Sequence, residues 1–284
     1  MSPQQIQRKQ HLRQMCEKYE KEALSGEKKS PQITEQFIVD HTYKIIYCYV
    51  PKVACTHWKR VLYALKQSKP YPDLLSIHPS VVHQTNKLDY LRDVPKPERE
   101  EKLKNYTKFM FVRDPFVRLI SAFRDKFHYE VNHEQFYQSY GKPMLRLYGN
   151  QPHPPNTMLE AHKSHRLPTF SSFVKFLGDP KTERNGLFDP HWRQMNRLCQ
   201  PCLIDYDFIG HQETLEEDAQ ELLKIFKVEN DLKFPLGKVD VTTNEYIMDW
   251  FRGVPLKDRK RLYSVYERDF RLFGYKRPDE LLDG

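Results

Sequence analysis

Two short stretches of this 284-residue chain combine a basic side chain with the start of an apolar helix. In residues 51–60 (PKVACTHWKR), Lys52 supplies a positive charge and Thr56 a hydroxyl donor. In residues 113–127, Arg113 precedes Asp-Pro, and Ser121 lies about two helical turns further on. Backbone N–H groups at a helix N-terminus and a forked guanidinium both suit phosphate groups. Either stretch alone is compatible with a basic turn or an ion pair, but the two together favour a ligand with two anionic groups.

Each stretch follows a short apolar run with the composition of a buried strand. Residues 44–50 (KIIYCYV) and 108–112 (KFMFV) predict two strands, and residues 206–210 (YDFIG) predict a third. Asp114-Pro115 is typical of a helix start, with Asp as N-cap and Pro in the first turn. Strands that alternate with helices predict an α/β fold with a parallel sheet flanked by helices. In such sheets ligands bind at the carboxyl ends of the strands, where both stretches lie.

Composition and charge limit the classes of protein. Hydrophobic residues make up 39% of the chain, which excludes a wholly disordered protein. The formal net charge of +8 favours anionic partners. No RNP1, KH or zinc-finger pattern is present, so we expect no nucleic-acid partner. We expect a polar stem or extension over residues 1–40, with one short helix around residues 5–24, and a single domain over residues 41–284.

The two stretches resemble the donor-binding motifs of a known family. YCYVPKVACTHWKR resembles the 5′-phosphosulfate loop of Golgi carbohydrate sulfotransferases. The branch is that of the chondroitin and dermatan 4-O-sulfotransferases, the N-acetylgalactosamine 4-O-sulfotransferases and the HNK-1 sulfotransferase. FVRDPFVRLISAFRDKF is similar to the 3′-phosphate motif of that branch, and the resemblance extends over roughly residues 41–280. His57 stands where the family usually has Asn, and we expect its backbone N–H to matter more than its side chain.

This resemblance implies a sulfotransferase fold with a P-loop-like strand–loop–helix unit, although no GxxxxGK[ST] sequence is present. It also implies 3′-phosphoadenosine 5′-phosphosulfate (PAPS) as donor, and no metal. Lys52 is expected to act in catalysis by holding the 5′-phosphate and the bridging oxygen. Arg113 and Ser121 are expected to bind the 3′-phosphate. The expected donor-binding loop consists of Lys52, Val53, Ala54, Cys55, Thr56, His57 and Trp58.

A base is needed to take the proton from the attacking hydroxyl, and histidine suits that role near neutral pH. His83, in the loop after the first helix, is the expected base, because members of this branch usually carry a His there. His191 is the second candidate, with an acceptor-binding or structural role preferred for it. Glu213 remains a further alternative. Acceptor choice is expected to lie in residues 70–100 and 130–170, which we predict to be loops.

The implied reaction is transfer of a sulfuryl group to a sugar hydroxyl of an acidic glycan or glycoprotein. The expected position is the 4-hydroxyl of N-acetylgalactosamine in chondroitin, dermatan or glycoprotein glycans. The closing residues RDFRLFGYKRPDELL are most similar to the HNK-1 type, which leaves 3-O-sulfation of terminal glucuronic acid as an alternative. An inactive homologue that binds glycan or nucleotide is a second alternative. The resemblance also implies the Golgi lumen and a type II membrane anchor, which this chain does not show.

The five cysteines are too few for a disulfide scaffold. Cys199 and Cys202 form a C-x-x-C pair, but no second pair completes a zinc site. The lumenal setting implied by the resemblance favours a disulfide instead, not necessarily within this pair, and Cys16 is a possible partner. Cys55 is expected to pack and not to act as a nucleophile. Asn105-Tyr106-Thr107 is an N-glycosylation sequon.

Overall fold

The computed structural model of the protein describes residues 1–22, 31–128, 133–184, 186–235 and 243–283. The chain divides into two compact units. The first consists of Met1–Arg113, Gln194–Asp240 and Arg271–Tyr275, and the second consists of Asp114–Arg193, Val241–Phe270 and Lys276–Gly284.

The described residues contain five strands and fourteen α-helices, together with short 3₁₀ and π segments. The strands are β1 (Phe37–Asp40), β2 (Ile45–Cys48), β3 (Asp89–Tyr90), β4 (Thr107–Val112) and β5 (Phe208–His211). The helices are α1 (Pro3–Glu22), α2 (Cys55–Leu65), α3 (Pro79–Val82), α4 (Lys96–Asn105), α5 (Pro115–Phe123), α6 (Glu134–Phe136), α7 (Lys142–Tyr148), α8 (Met158–Lys163), α9 (Phe170–Gly178), α10 (Met195–Cys199), α11 (Leu215–Ile225), α12 (Asn244–Phe251), α13 (Leu256–Leu272) and α14 (Asp279–Leu282).

The first unit contains one mixed sheet with strand order β3-β1-β2-β4-β5. The pairs β2–β4 and β4–β5 are parallel, which confirms the three predicted strands and the parallel sheet they form. Strands β1 and β3 extend this core in antiparallel orientation. β1 lies within the predicted extension over residues 1–40 and pairs with β2, so the expected boundary after residue 40 falls inside a β-hairpin.

The central strands β2 and β4 are nearly continuous apolar runs, and almost all of their residues are buried. Because successive side chains of a strand point to opposite faces, the centre of the sheet is covered on both faces. Tyr47 of β2 stacks on Phe109 of β4, with 4.5 Å between the ring centroids. Trp58 of α2 packs edge-on against Phe109 at 5.0 Å and is fully buried. This packing fixes the end of β2 and the start of α2, which are joined by residues 49–54.

Helix α1 belongs to the first unit and lies along β5, the strand at one edge of the sheet. The Gln5 side chain accepts a hydrogen bond from the Ile209 N–H and donates one to its carbonyl, at 3.0 Å each. Arg8 binds the buried Asp218 carboxylate at 2.8 Å. The predicted helix around residues 5–24 is confirmed over residues 3–22, whereas residues 23–24 lie outside the described part.

Two disulfides hold this unit together, Cys16–Cys202 and Cys48–Cys199. Cys16 is therefore a disulfide partner as expected, and the two cysteines of the C-x-x-C pair form separate bridges. Cys55 is a free, half-buried thiol.

The second unit begins at the predicted cap of α5, where Asp114 Oδ1 accepts hydrogen bonds from the N–H groups of Phe116 and Val117. The buried Arg118 of α5 donates to the carbonyls of Pro190 and Arg193 at 2.7 and 2.8 Å. The prediction of loops in two regions is wrong in part. Residues 70–100 contain α3, β3 and the start of α4, and the described part of residues 130–170 contains α6, α7 and α8.

Candidate functional site

The loop between β2 and α2 makes an unusual turn without glycine. Lys52 and Ala54 have positive φ values of 71° and 49°, a region that residues other than glycine rarely occupy. Ala54 is the N-cap of α2, and no side chain caps this helix end. The buried side chains of Val50 and Val53 hold the loop to the core on either side.

This turn leaves a row of backbone donors unused. The N–H groups of His57 and Trp58 donate to the Ala54 carbonyl at 3.0 and 3.2 Å. Across the described ranges, no protein group accepts a hydrogen bond from the N–H groups of residues 53–56. Successive free N–H groups at the start of an eleven-residue helix form a site for an oxyanion, and the helix dipole favours negative charge there.

Two basic side chains flank this loop. Lys52 belongs to the loop itself, and Arg113 directly follows β4, the parallel neighbour of β2. The Arg113 guanidinium donates a hydrogen bond to the Lys52 carbonyl at 3.1 Å. The structure thus brings together the two basic residues that the sequence predicted for the two ends of the donor.

His83 reaches the same loop. It is the C-cap of α3, and its Nε2 lies 3.0 Å from the Thr56 hydroxyl. Residues 56 and 83 are 27 positions apart in the chain, and the short helix α3 brings them together. A histidine in contact with the hydroxyl of an anion-binding loop is in a position to handle a proton there.

Two further residues predicted for the loop, His57 and Trp58, lie in the first turn of α2. Trp58 is fully buried in the aromatic core, and the N–H groups of His57 and Trp58 are already used inside the helix. Burial, followed by the charge of Arg60, lowers the pKa of His57. Its ring lies 5.9 Å from that of Phe234, and among the described residues its Nδ1 has no hydrogen-bond partner.

Sequence reasoning missed Lys59, on the second turn of α2. Lys59 is only 3% exposed, and its Nζ lies 3.7 Å from the centre of the Tyr49 ring. Burial lowers the pKa of its amine. The only signal in the sequence was a lysine placed directly after Trp58, at the start of the apolar helix face.

Two predicted residues belong to the second unit. Ser121 is half-buried on α5. His191 lies in the segment held by Arg118, and its Nδ1 lies 2.7 Å from Asp189 Oδ1. Burial lowers the pKa of His191, and the hydrogen bond with Asp189 opposes that shift. An aspartate that fixes one ring nitrogen leaves the other available to an acceptor or a proton.

Glu213, the alternative base, follows the carboxyl end of β5. Its Oε2 accepts a hydrogen bond from the Tyr275 hydroxyl at 2.9 Å and lies 3.9 Å from His211 Nδ1. Burial, followed by the charge of Arg8, lowers the pKa of His211 to about 3. Glu213 is therefore held by a tyrosine, whereas His83 contacts the loop itself.

No cluster of three or more His, Cys, Asp or Glu side chains that would suit a metal ion occurs within the described ranges. Among the helices that the structure describes, none has the length and apolar character of a membrane span.

The chain is similar to named carbohydrate sulfotransferases. It is 49% identical over 259 residues to carbohydrate sulfotransferase 12 of Mus musculus, covering 86% of this chain and 61% of the relative. It is 38% identical over 253 residues to carbohydrate sulfotransferase 11 of Rattus norvegicus, covering 89% and 70% of the two chains. It is 34% identical over 287 residues to carbohydrate sulfotransferase 10 of Pongo abelii, covering 98% and 77%.

The chain spans about three fifths of the length of the carbohydrate sulfotransferase 12 relatives that it matches. No solved structure matches it. A family model described as "Sulfotransferase family" matches residues 35–276, which include the β2–α2 loop, His83, Arg113 and the five strands of the sheet. The chain therefore belongs to the sulfotransferase family.

Proposed function

We propose that this protein is a carbohydrate sulfotransferase that uses PAPS as donor. The observation that carries the proposal is the cradle formed by Lys52, Arg113 and the unused N–H groups of residues 53–56. It lies at the carboxyl ends of two adjacent parallel strands, where α/β folds bind nucleotides. The names of the three relatives support a carbohydrate acceptor.

The residues present fit such a donor. The loop N–H groups and Lys52 would hold the 5′-phosphate end, and Arg113 would hold the 3′-phosphate, with Ser121 assigned to the same phosphate from the sequence motif alone. When bound, the donor supplies an activated sulfuryl group whose leaving group is a phosphate. Lys52 and the N–H groups would stabilise the negative charge that develops during transfer, an interaction that strengthens in the transition state.

His83 is the proposed base. It would take the proton from the sugar hydroxyl as the new sulfur–oxygen bond forms, and its contact with Thr56 orients the imidazole toward the loop. His191 has the geometry of an oriented histidine as well, so it keeps the acceptor-binding or structural role predicted from the sequence. Glu213 is a weaker candidate, because its carboxylate accepts a hydrogen bond from Tyr275.

The 4-hydroxyl of N-acetylgalactosamine in chondroitin, dermatan or glycoprotein glycans is the proposed position of transfer. Support comes from the resemblance of the donor motifs to the 4-O-sulfotransferase branch. Transfer to the 3-hydroxyl of a terminal glucuronic acid is the second candidate, favoured by the closing residues 268–282.

We also propose that the protein works in the Golgi lumen. Two disulfides indicate an oxidising compartment, because such bridges are rare in the cytosol. The type II anchor expected from the resemblance remains part of the same proposal.

The test is a radiolabelled sulfate-transfer assay with PAPS. The acceptors are desulfated chondroitin, desulfated dermatan, a terminal N-acetylgalactosaminide and a terminal glucuronide. We expect label in the chondroitin-type acceptors, with disaccharide analysis placing it at the 4-position. No binding of adenosine 3′,5′-bisphosphate would contradict the donor site, and no label in any acceptor despite such binding would contradict the assigned acceptors.

The matched variants are Lys52→Ala and Lys44→Ala. Both lysines flank β2 and both have positive φ, but Lys44 lies at the opposite end of the strand. Lys52→Ala should abolish transfer and leave the fold intact, whereas Lys44→Ala should transfer at nearly the parent rate. Near-normal turnover in Lys52→Ala would remove this residue from the mechanism.

A further inference from the structure

The sequence contains one N-glycosylation sequon, Asn105-Tyr106-Thr107, which the proposed reaction does not use. A glycan is bulky and polar, so the asparagine that carries it must keep an exposed side chain in the folded protein. A sequon that directly precedes a buried strand can fail this condition. The position of Asn105 in the first unit therefore decides whether the sequon can be modified.

Asn105 is the last residue of α4, and its side chain is exposed. None of the ten side chains of α4 is buried, so this helix lies on the outside of the first unit. Burial begins only at Lys108, the second residue of β4. A glycan attached to Asn105 would therefore extend into solvent without displacing a packed side chain.

The asparagine has no structural role that would explain its presence. Within the described ranges, the Asn105 side chain has no hydrogen-bond partner. Asparagine is favoured where a helix ends in a left-handed conformation, but the residue that ends α4 is Tyr106, with an extended backbone. Asparagine is also a weak helix former. Neither the helix nor its packing accounts for Asn105, which leaves the sequon as the reason for this residue.

The sequon lies at the end of the sheet opposite the proposed donor site. Thr107 pairs with Ile45 at the amino ends of the parallel strands β4 and β2. Lys52 and Arg113 follow the carboxyl ends of the same strands. With a rise of about 3.3 Å per residue, the six residues of β4 place the sequon about 20 Å from Arg113. A glycan on Asn105 would leave the proposed donor site open.

The strand that follows the sequon is completed late in synthesis. β4 pairs with β2 on one side and with β5, residues Phe208–His211, on the other. Chains begin to fold from the N-terminal side while they are being made, and β5 follows β4 only after most of the second unit. The sequon therefore emerges before β4 has both of its neighbours, so an enzyme can reach Asn105 at that stage.

We propose that Asn105 carries an N-linked oligosaccharide. The amide nitrogen of Asn105 forms a bond to the anomeric carbon of a lipid-linked oligosaccharide, and the bond from that carbon to the lipid diphosphate breaks. The diphosphate leaves with the electron pair, the amide gives up one proton, and nothing is oxidised or reduced. The inference rests on the proposed function, because the lumenal location places the chain where such lipid-linked donors are used.

The test uses the full chain with a cleavable signal sequence, secreted by cultured animal cells. Peptide N-glycosidase F removes N-linked glycans and converts the modified asparagine to aspartate, which peptide mass spectrometry locates. Asn105→Gln and Thr107→Ala destroy the sequon, whereas Thr107→Ser retains it. Asn86→Gln, which changes an exposed asparagine outside any sequon, is the matched control.

We expect the parent, Thr107→Ser and Asn86→Gln to lose mass in a single step on glycosidase treatment, with aspartate appearing at residue 105. Asn105→Gln and Thr107→Ala should show no change in mass. An unmodified parent protein would overturn the proposal, and this result needs no variant to fold. A loss of mass that persists in Asn105→Gln would also overturn it, because the glycan would then lie elsewhere.

Sulfate transfer by the same preparations separates this inference from the proposed function. Treated and untreated parent should bind adenosine 3′,5′-bisphosphate with equal affinity, because the sequon and Arg113 lie at opposite ends of β4. A glycosylated parent that transfers no sulfate would contradict the proposed activity alone. An active parent without a glycan at Asn105 would contradict the modification alone.

Discussion

Lys52 and Ala54 hold left-handed backbone conformations only two residues apart. Such a conformation costs about 1–2 kcal/mol for a residue with a side chain, so its surroundings must maintain the turn. Buried Val50 and Val53 and the hydrogen bond from Arg113 to the Lys52 carbonyl provide that support. The same turn leaves the N–H groups of residues 53–56 without a protein acceptor, which supports the anion site proposed above.

Arg113 gives the first prediction at this scale. Arg113→Ala should weaken the binding of adenosine 3′,5′-bisphosphate by about 2 kcal/mol or more, since it removes charged hydrogen-bond donors. It also frees the Lys52 carbonyl, so part of the loss is expected from a looser loop. Isothermal titration calorimetry measures the effect, with Arg13→Ala on the exposed side of α1 as the control. Equal affinities in parent and variant would refute the assignment.

His83 gives the second prediction at the scale of single residues. His83→Ala should lower turnover by about 10²–10⁴-fold, the usual contribution of a general base, and leave affinity for adenosine 3′,5′-bisphosphate nearly unchanged. His41→Ala, at the exposed β1–β2 turn, is the control. The measurements are single-turnover transfer and donor titration. A loss below about tenfold would transfer the role of base to His191 or Glu213.

At the scale of elements, the strands that position the site were predictable and those that extend the sheet were not. β2, β4 and β5 are apolar runs that precede helices, a pattern readable from the sequence. β1 has four residues and β3 two, and their place depends on hydrogen bonds to distant strands. Neither length nor composition distinguishes so short a strand from a loop.

Helix α1 was predictable as a helix, but its docking was not. Only Leu12 and Cys16 of its apolar side chains are buried. The helix is held by Gln5 on the β5 edge, by Arg8 on Asp218 and by a disulfide. Polar contacts of this kind leave no apolar periodicity, so an extension without tertiary contacts was an equally good interpretation of the sequence.

In the candidate site, too, the features that depend on contacts between distant residues could not be predicted from the sequence. Lys52 and Arg113 were predictable, because each follows a strand that ends at the same edge of the sheet. The contact of His83 with Thr56 depends on α3, a helix of four residues inside a segment predicted to be a loop. The burial of Lys59 depends on the Tyr49 ring above its amine, which no sequence pattern indicated.

The end of β5 gives a prediction for pH dependence. Burial lowers the pKa of His211 to about 3, whereas an unfolded chain titrates near 6.5. Arg8, Glu213, Asp218 and the Tyr275 ring surround this histidine. Between the two pKa values the unfolded chain binds a proton that the folded protein does not. The free energy of unfolding should therefore fall as the pH falls from about 6.5 towards 3.

Urea denaturation at several pH values measures this dependence. His211→Gln should flatten it between about pH 6.5 and 4, and the exposed His153→Gln is the matched control. If the free energy of unfolding of His211→Gln falls with pH as steeply as that of the parent, titratable groups other than His211 cause the dependence.

At the scale of the whole molecule, two disulfides join the N-terminal part of the first unit to residues 199–202. They close loops with sequence separations of 186 and 151 residues. In the chain-entropy account, a bridge over so long a loop removes several kcal/mol of unfolded-state entropy. Loss of either pair to alanine should lower the free energy of unfolding by about 2–5 kcal/mol, as measured by denaturant titration.

The two bridges should differ in their effect on the donor site, and this difference is the stronger test. Cys48 is the last residue of β2, directly before the loop that we propose to bind the donor, whereas Cys16 lies on α1. Cys48→Ala/Cys199→Ala should therefore weaken adenosine 3′,5′-bisphosphate binding as well as stability, and Cys16→Ala/Cys202→Ala should affect stability alone. Equal donor affinity in the two variants would contradict this expectation. It would mean that the buried packing of Tyr47, Trp58 and Phe109 holds the end of β2, and with it the loop, without the Cys48–Cys199 bridge.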